Sequence, residues 1–347
     1  MLIGLLIALA MIFILPFVFH FIERNLEYFL LVMGIAVTLI SGTLSFQLIT
    51  HIFTNYLIYF ITIAVLIAGL IFRIAIKKIN KFVNYAIAKI SINVFIFFLV
   101  IVLGFISSII TAIIAALVLV EIVNALPLSH KQKVNLTIIS CFSIGLGATL
   151  TPIGEPLSTI VVSSLKVDFF YLLRTVGIYI VPCLFALGLI GALYIKYSYK
   201  ANTNIQEVNK PGIETDSEGL KEVFIRAIKI FLFVIALDLL GSGFKPLINT
   251  YVINFDSRLL YWINMCSAVL DNATLAAAEI SPAMNLKQIQ AILMGLLLSG
   301  GMLIPGNIPN IISAGKLKIK SREWAKLGVP LGLALLIVYF VIIFIIL

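Results

Sequence analysis

The chain alternates between long apolar blocks and short polar connections. Apolar runs of helical length fall at residues 2–20, 28–46 and 56–72, and a longer block, Ser91–Asn124, precedes apolar stretches at 135–165 and 169–195. Beyond a polar segment lie further blocks at 223–242, 259–283, 288–315 and 324–347. A helix needs about 20 apolar residues to cross a hydrocarbon core about 30 Å thick. The pattern therefore predicts an all-α polytopic membrane protein. Two blocks are not simple crossings. Leu259–Ala283 carries Asp271-Asn272 at its centre. Split there, each arm reaches about 18 Å at about 1.5 Å per residue, too short to cross, which favours a re-entrant hairpin with a polar tip. Ser91–Asn124 divides in the same way at Ser107-Ser108.

Composition narrows the class. The 347 residues are 62% apolar and 11% charged, against about 45–50% and about 25% in soluble domains. That excludes a soluble enzyme and a nucleic-acid binder. No nucleotide-binding loop is present, and no cofactor is implied. Cys141, Cys183 and Cys266 are scattered, as are His20, His51 and His130, so neither a disulfide framework nor a zinc cluster is predicted. Met1–Phe19 lacks a basic n-region and a small-residue cleavage site, which predicts a retained helix. The basic residues set the orientation. Of 24 Lys and Arg, five (Lys166, Arg174, Lys245, Arg258 and Lys287) fall on one side, and the other nineteen lie in or beside the segments 21–27, 73–90, 125–134, 196–222 and 316–326. The positive-inside rule makes the second side cytoplasmic. Eight full crossings then leave both termini outside, in a multi-pass protein of the cell membrane.

The two halves resemble each other. Gly147-Ala148-Thr149-Leu150-Thr151-Pro152-Ile153-Gly154-Glu155-Pro156 is followed, 153 residues on, by Gly300-Gly301-Met302-Leu303-Ile304-Pro305-Gly306-Asn307-Ile308-Pro309. Small pairs, a Leu and a Pro-x-x-x-Pro recur in register, and Leu165-Lys166-Val167 returns as Leu317-Lys318-Ile319 with one residue of slippage. Upstream of each motif lies a hairpin tip, Ser107-Ser108-Ile109-Ile110-Thr111 in one half and Asp271-Asn272-Ala273-Thr274 in the other. The shared unit crosses the membrane three times, so its second copy is predicted to be inverted, the architecture of secondary transporters. The expected organisation is an N-terminal helical hairpin (1–55), a first repeat (56–195, hairpin 91–124, broken helix 135–165), a cytoplasmic linker (196–222) and a second repeat (223–347, hairpin 259–283, broken helix 288–315). Two prolines four residues apart cannot both sit in an unbroken helix, and glycine lets the chain turn. Pro152, Gly154, Pro156, Pro305, Gly306 and Pro309 are therefore the predicted helix breaks. Backbone freed at membrane depth is tolerated only where protein or a watery cavity meets it.

Of the 15 acids, Glu121, Glu155, Asp238, Asp271 and Glu279 lie within apolar segments. Each costs about 2.5–3.5 kcal/mol to insert, and no Lys or Arg falls in the middle of a segment to pair with them. Such a carboxylate either takes a proton or binds a cation. A set that does one or the other, exclusively, has the chemistry of a cation/proton exchanger. Asp271 stands beside Asn272 and Thr274, and oxygen donors of this kind suit a hard cation such as Na⁺. Glu155 lies within the Pro-Ile-Gly-Glu-Pro turn, near Thr149 and Thr151. Glu279 follows Asp271 by eight residues on the same helical face. Asp238 lies four residues from the end of its apolar span, close to Gly241-Ser242-Gly243, and Glu121 near the cytoplasmic end of its arm.

The segments GATLTPIGEPLS (147–158), LDNATLA (270–276) and GGMLIPGNIPN (300–310) resemble the ion transporter superfamily, which includes NhaD-type sodium/proton antiporters, arsenite permeases and sodium-coupled carboxylate transporters. The likeness covers roughly residues 56–347 and is closest to the compact branch of predicted cation transporters. It implies a homodimer with a scaffold of outer helices and a transport domain of hairpins and broken helices that shifts in an elevator-like manner. The hairpin tips and proline breaks would then form two pseudo-symmetric ion sites. The Asp-Asn pair of the antiporters matches Asp271-Asn272. Carboxylate carriers instead have Ser-Asn-Thr at both tips, and Asp271 would repel an anion.

The expectation is a secondary active cation transporter, a Na⁺/H⁺ antiporter moving small inorganic ions, and not an enzyme. Its ion or proton ligands are Asp271, Asn272, Thr274, Glu155, Thr149, Thr151, Asn307, Ser107, Ser108, Thr111 and Glu279, with Asp271, Asn272 and Glu155 as the Na⁺ candidates. The alternative is a sodium- or proton-coupled anion transporter of the arsenite or carboxylate class, using backbone amides at the breaks.

Overall fold

The computed structural model describes residues 1–19, 21–22, 25–56, 58–59, 62–63, 66–67, 70, 89–199, 220–250, 254–268 and 272–346. Most of the predicted span at 56–72, most of the linker at 196–222 and Asp271 lie outside the described residues. Among the described residues every regular element is helical.

The first two apolar blocks form α1 (Leu2–Val18) and α2 (Leu26–Ser41). A short helix, α3 (Phe46–Thr54), follows where the apolar pattern predicted no element; the Ser45 hydroxyl caps it by accepting the Leu48 N–H at 3.1 Å. In α4 (Ile92–Ile110), Val94, Phe98 and Val102 form an exposed stripe at a spacing of four, whereas Ile96, Val100 and Ser107 are buried. An outward face made only of apolar side chains suits lipid.

The first predicted hairpin turns later than expected. Ser107 and Ser108 remain inside α4, because their hydroxyls donate to the carbonyls of Gly104 (2.6 Å) and Phe105 (2.7 Å), bonds that an intact helix accommodates. The turn falls at Thr111, held at φ 78°, and α5 (Ala112–Ala125) starts at the next residue. The second block is not one continuous helix either: it holds α10 (Ser257–Ile263), a 3₁₀ segment (Asn264–Ala268) and α11 (Asn272–Glu279), and the expected tip residue Asp271 lies outside the described residues.

Capping boxes, Ser129 with Gln132 and Asn285 with Gln288, open α6 (His130–Ala148) and α12 (Leu286–Gly300). Each of these helices ends in a break in the α-helix, which in the second half includes a 3₁₀ turn (Ile304–Gly306), followed by a ten-residue helix, α7 (Pro156–Leu165) or α13 (Ile308–Leu317). At about 15 Å neither short helix crosses a bilayer alone. Both end on a lysine in the left-handed region, Lys166 at φ 54° and Lys318 at φ 53°. Past Lys166, the Asp168 carboxyl accepts the Phe170 N–H at 2.9 Å and pairs with Arg174, which hold it below its ordinary range.

The remaining helices are α8 (Tyr171–Tyr199), α9 (Leu220–Thr250) and α14 (Ser321–Val341, widening into a π-turn to Ile346). Helix α9 does not stop near Asp238. It runs through Gly241-Ser242-Gly243 and Pro246 because it packs along α2 and is tied to it by the Lys229–Glu27 ion pair. Among the described residues, three helices, α4, α8 and α14, are long and apolar enough to cross a membrane.

Helices α4, α6 and α8 pack on one another, as α10, the 3₁₀ segment, α12 and α14 do in the second half. One core runs through both halves. The halves interlock: α7 packs on α11, and α13 packs on α5. The helix after each break is thus covered by the helix after the other half's turn.

Candidate functional site

The first break spans Thr149–Glu155. Pro152 and Pro156 lack the backbone N–H that would continue α6, and the chain folds back beneath its end. A Cβ on Gly154 would lie 1.9 Å from the Ala148 carbonyl oxygen, so only glycine fits. The Gly154 carbonyl accepts the Ala112 N–H at 2.7 Å, which pins the break to the start of α5. Around it, the Thr151 hydroxyl donates to the Ser108 carbonyl, and the Ser107 hydroxyl donates across to the Ile144 carbonyl at 2.9 Å. The Thr111 hydroxyl accepts the Ile114 N–H at 3.5 Å. Glu155 is buried and begins α7, where the positive end of the helix dipole favours a carboxylate. Its Oε1 accepts the Thr149 hydroxyl at 2.5 Å.

The second break reproduces this local geometry 152 residues on. A Cβ on Gly306 would lie 2.6 Å from the Gly300 carbonyl oxygen, as one on Gly154 would crowd Ala148. Asn307 begins α13 with the backbone that Glu155 has before α7, φ −154° in both. The Asn310 side chain donates to the Gly300 carbonyl at 2.9 Å, and the Ser158 hydroxyl donates to that of Ala148 at 3.5 Å. The structural register is therefore 152 throughout the break, with the helix ends Thr149 and Gly301 paired as Gly154 and Gly306 are, and not the 153 of the proline motif. Glu155 corresponds to Asn307, and not to Ile308 as the 153-residue register has it.

Asn307 also joins the first break. Its Nδ2 lies 2.5 Å from where a Gly145 Cβ would be, and the Gly145 carbonyl accepts the Thr149 hydroxyl at 3.2 Å. Behind the second break, the fully buried Trp324 donates its indole N–H to the Gly301 carbonyl at 3.1 Å. Trp324→Phe leaves that carbonyl without its donor and is expected to cost about 1–3 kcal/mol, read as a lowered melting temperature of the purified protein.

The 3₁₀ segment faces the second break. The carbonyls of Ser267, Ala268 and Gly300 converge on Gly306, all within 3.0 Å of its Cβ position. Asn264 donates from Nδ2 to Glu279 Oε2 at 2.8 Å and accepts the Ser299 hydroxyl on its backbone carbonyl at 2.8 Å. Four buried polar atoms here, Asn264 Oδ1, Ser267 Oγ, Asn272 Nδ2 and Asn310 Oδ1, have no hydrogen-bond partner among the described residues.

The predicted residues thus fall into two groups. Ser107, Ser108, Thr111, Thr149, Thr151, Glu155 and Asn307 gather at the first break. Glu279 joins the second through Asn264, and Asn272 opens α11, which packs on the 3₁₀ segment and on α7. Asp271 lies outside the described residues, as does the Thr274 side chain. Asn264, Ser267 and Asn310 escaped the sequence reading. A signal was present: Ser267-Ala268-Val269-Leu270-Asp271 matches Ser107-Ser108-Ile109-Ile110-Thr111 at a spacing of 160, which pairs Ser267 with Ser107.

These features define an all-α membrane protein whose candidate site is built from chain breaks rather than intact helices. The chain belongs to the family described as protein of unknown function (DUF1646), whose model matches residues 2–346. A comparison with curated proteins found no match.

Proposed function

We propose that the protein is a secondary active cation transporter, a Na⁺/H⁺ antiporter of the cell membrane with both termini outside. The observation that carries the reading is the oxygen set around the second break: Asn264 Oδ1 and Ser267 Oγ, buried and unpartnered among the described residues, and three carbonyls that converge on Gly306. An unsatisfied buried polar atom costs about 1–3 kcal/mol, and neutral oxygens at a chain break are ligands for a hard cation. The duplicated geometry supports two inverted repeats with re-entrant hairpins, and hence two related sites. The Glu155 carboxylate at the first break and Glu279, joined to the second through Asn264, are the proton acceptors beside them, with Asp271 the sequence-based third. Transport would proceed by an elevator-like shift in a homodimer.

A second reading rests on α13, whose cap residue Asn307 makes no side-chain capping bond. The positive end of a helix dipole with no carboxylate at its start suits an anion. One measurement separates the two. Na⁺ or Li⁺ at about 100 times its dissociation constant should stabilise the purified protein by about 2.7 kcal/mol, and dicarboxylates or oxyanions should not. Ser267→Ala should weaken the cation effect. Stabilisation by oxyanions or dicarboxylates alone would transfer the case to the anion carrier.

A further inference from the structure

Asp238 belongs to neither break, yet its surroundings are as specific. It lies on α9, and its two carboxyl oxygens accept bonds from two other elements: Oδ2 from Asn55 Nδ2 at 3.4 Å and Oδ1 from the Ser163 hydroxyl at 3.1 Å. Asn55 Nδ2 also donates to Ser163 Oγ at 3.2 Å, which closes a triangle. Asn55 immediately follows α3, and Ser163 lies in the last turn of α7. The carboxylate therefore holds three elements at one point. Beside it is a cavity of about 310 Å³ lined by His51, Thr54, Asn55, Ser163 and Lys166, among others. It lies on the face that the charge asymmetry assigns to the exterior.

The position on α7 matters. Ser163 is three residues from the left-handed Lys166, where the Lys166 N–H bonds the Ser163 carbonyl at 3.2 Å and the Val167 N–H bonds that of Val162 at 3.2 Å. Helix α7 is short, and its other end is the first break. A contact that fixes its last turn bears on the whole element.

We propose that Asp238 is a proton-binding site of its own, reached through this cavity, and that its ionised form holds the end of α7 against α3 and α9. The chemistry follows from the acceptor count. A carboxylate accepts both donors, and bonds to a charged acceptor are roughly twice as strong as neutral ones. A neutral acid turns one oxygen into a donor, which leaves a single acceptor for the two donors unless the Ser163 hydroxyl turns its own proton away, and the bonds that remain lose the charge. The clasp is therefore intact at higher pH and loosens as the pH falls. Among the described residues, the other titratable groups around α9 are His51 on α3, Tyr56 and Tyr59 just beyond it, Lys166 at the end of α7, Glu279 at the end of α11, and Glu27 and Tyr28 on α2. Glu27 pairs with Lys229, nine residues before Asp238. Of these, His51, Tyr56 and Lys166 line the cavity. The inference rests on the membrane orientation and not on the ion site.

Hydrogen exchange of the purified full-length protein in lipid nanodiscs tests this without sodium. From about pH 8 down to about pH 4, near the ordinary carboxylate range, protection of the amides at 163–167 should fall about tenfold after correction for intrinsic exchange, the effect of losing one charge-assisted bond. Asp238→Asn should show the low value throughout. Ser163→Ala, which leaves the carboxylate in place, should lower protection at the alkaline end. His51→Gln should keep the wild-type profile. An unchanged profile in Asp238→Asn, or a flat one in His51→Gln, would overturn the proposal.

Discussion

A Glu155→Gln variant reconstituted into proteoliposomes is expected to lose sodium-driven proton movement by about a hundredfold, since a charged ligand is worth about 2–3 kcal/mol. Glutamine keeps the length of the side chain and an oxygen for the Thr149 hydroxyl, now 2.5 Å from Glu155 Oε1. It neither carries charge nor takes up a proton. The variant therefore separates the exchange chemistry from the bond to Thr149, which survives. Thr149→Val removes one neutral oxygen and should cost about tenfold, in line with a single neutral hydrogen bond. Asp271→Asn is expected to match Glu155→Gln. Full activity in Glu155→Gln would take the first break out of the transport path.

The second large effect is structural. Gly154→Ala places a methyl group 1.9 Å from the Ala148 carbonyl oxygen, and the obstacle is backbone that cannot rotate aside. The break must open, which strains the Gly154–Ala112 bond and displaces Glu155, the next residue. Overpacking of this kind costs about 1–3 kcal/mol or more and should lower the melting temperature by about 5–10 °C. Cation-dependent stabilisation should be lost with it. Gly306→Ala is expected to behave alike. The contrast is Gly315→Ala near the end of α13, where a Cβ meets nothing within 4 Å. There alanine should raise stability by about 0.5–1 kcal/mol, the helix-propensity difference. A neutral Gly154→Ala would show that the break is not held as described.

Both breaks were legible because proline and glycine act locally. Pro152 and Pro156, four residues apart with Gly154 between them, interrupt the helix locally, where the single Pro246 does not interrupt α9. The turn of the first hairpin was less so. Ser107-Ser108 reads as a polar tip, but hydroxyls satisfied by their own helix do not interrupt it, and only the strained backbone of Thr111 marks the turn. The end of the helix that carries Asp238 was hidden for a related reason. Gly241-Ser242-Gly243 has the composition of a helix end, and packing along α2 overrides it. Ser267 and Asn264 were hidden because their importance lies in what faces them. Their partners on the second break stand more than thirty residues away, at Ser299 and Gly306.

The interlocking of α7 with α11 and of α13 with α5 also bears on how the molecule is made. A ribosome delivers the first half well before α11 exists. Until then, α7 and the acid at its start have no cover from the second half. The nascent first half must therefore wait in the bilayer as an unfinished intermediate, shielded by lipid or by the insertion machinery. Two separately expressed halves should assemble only when they are synthesised together.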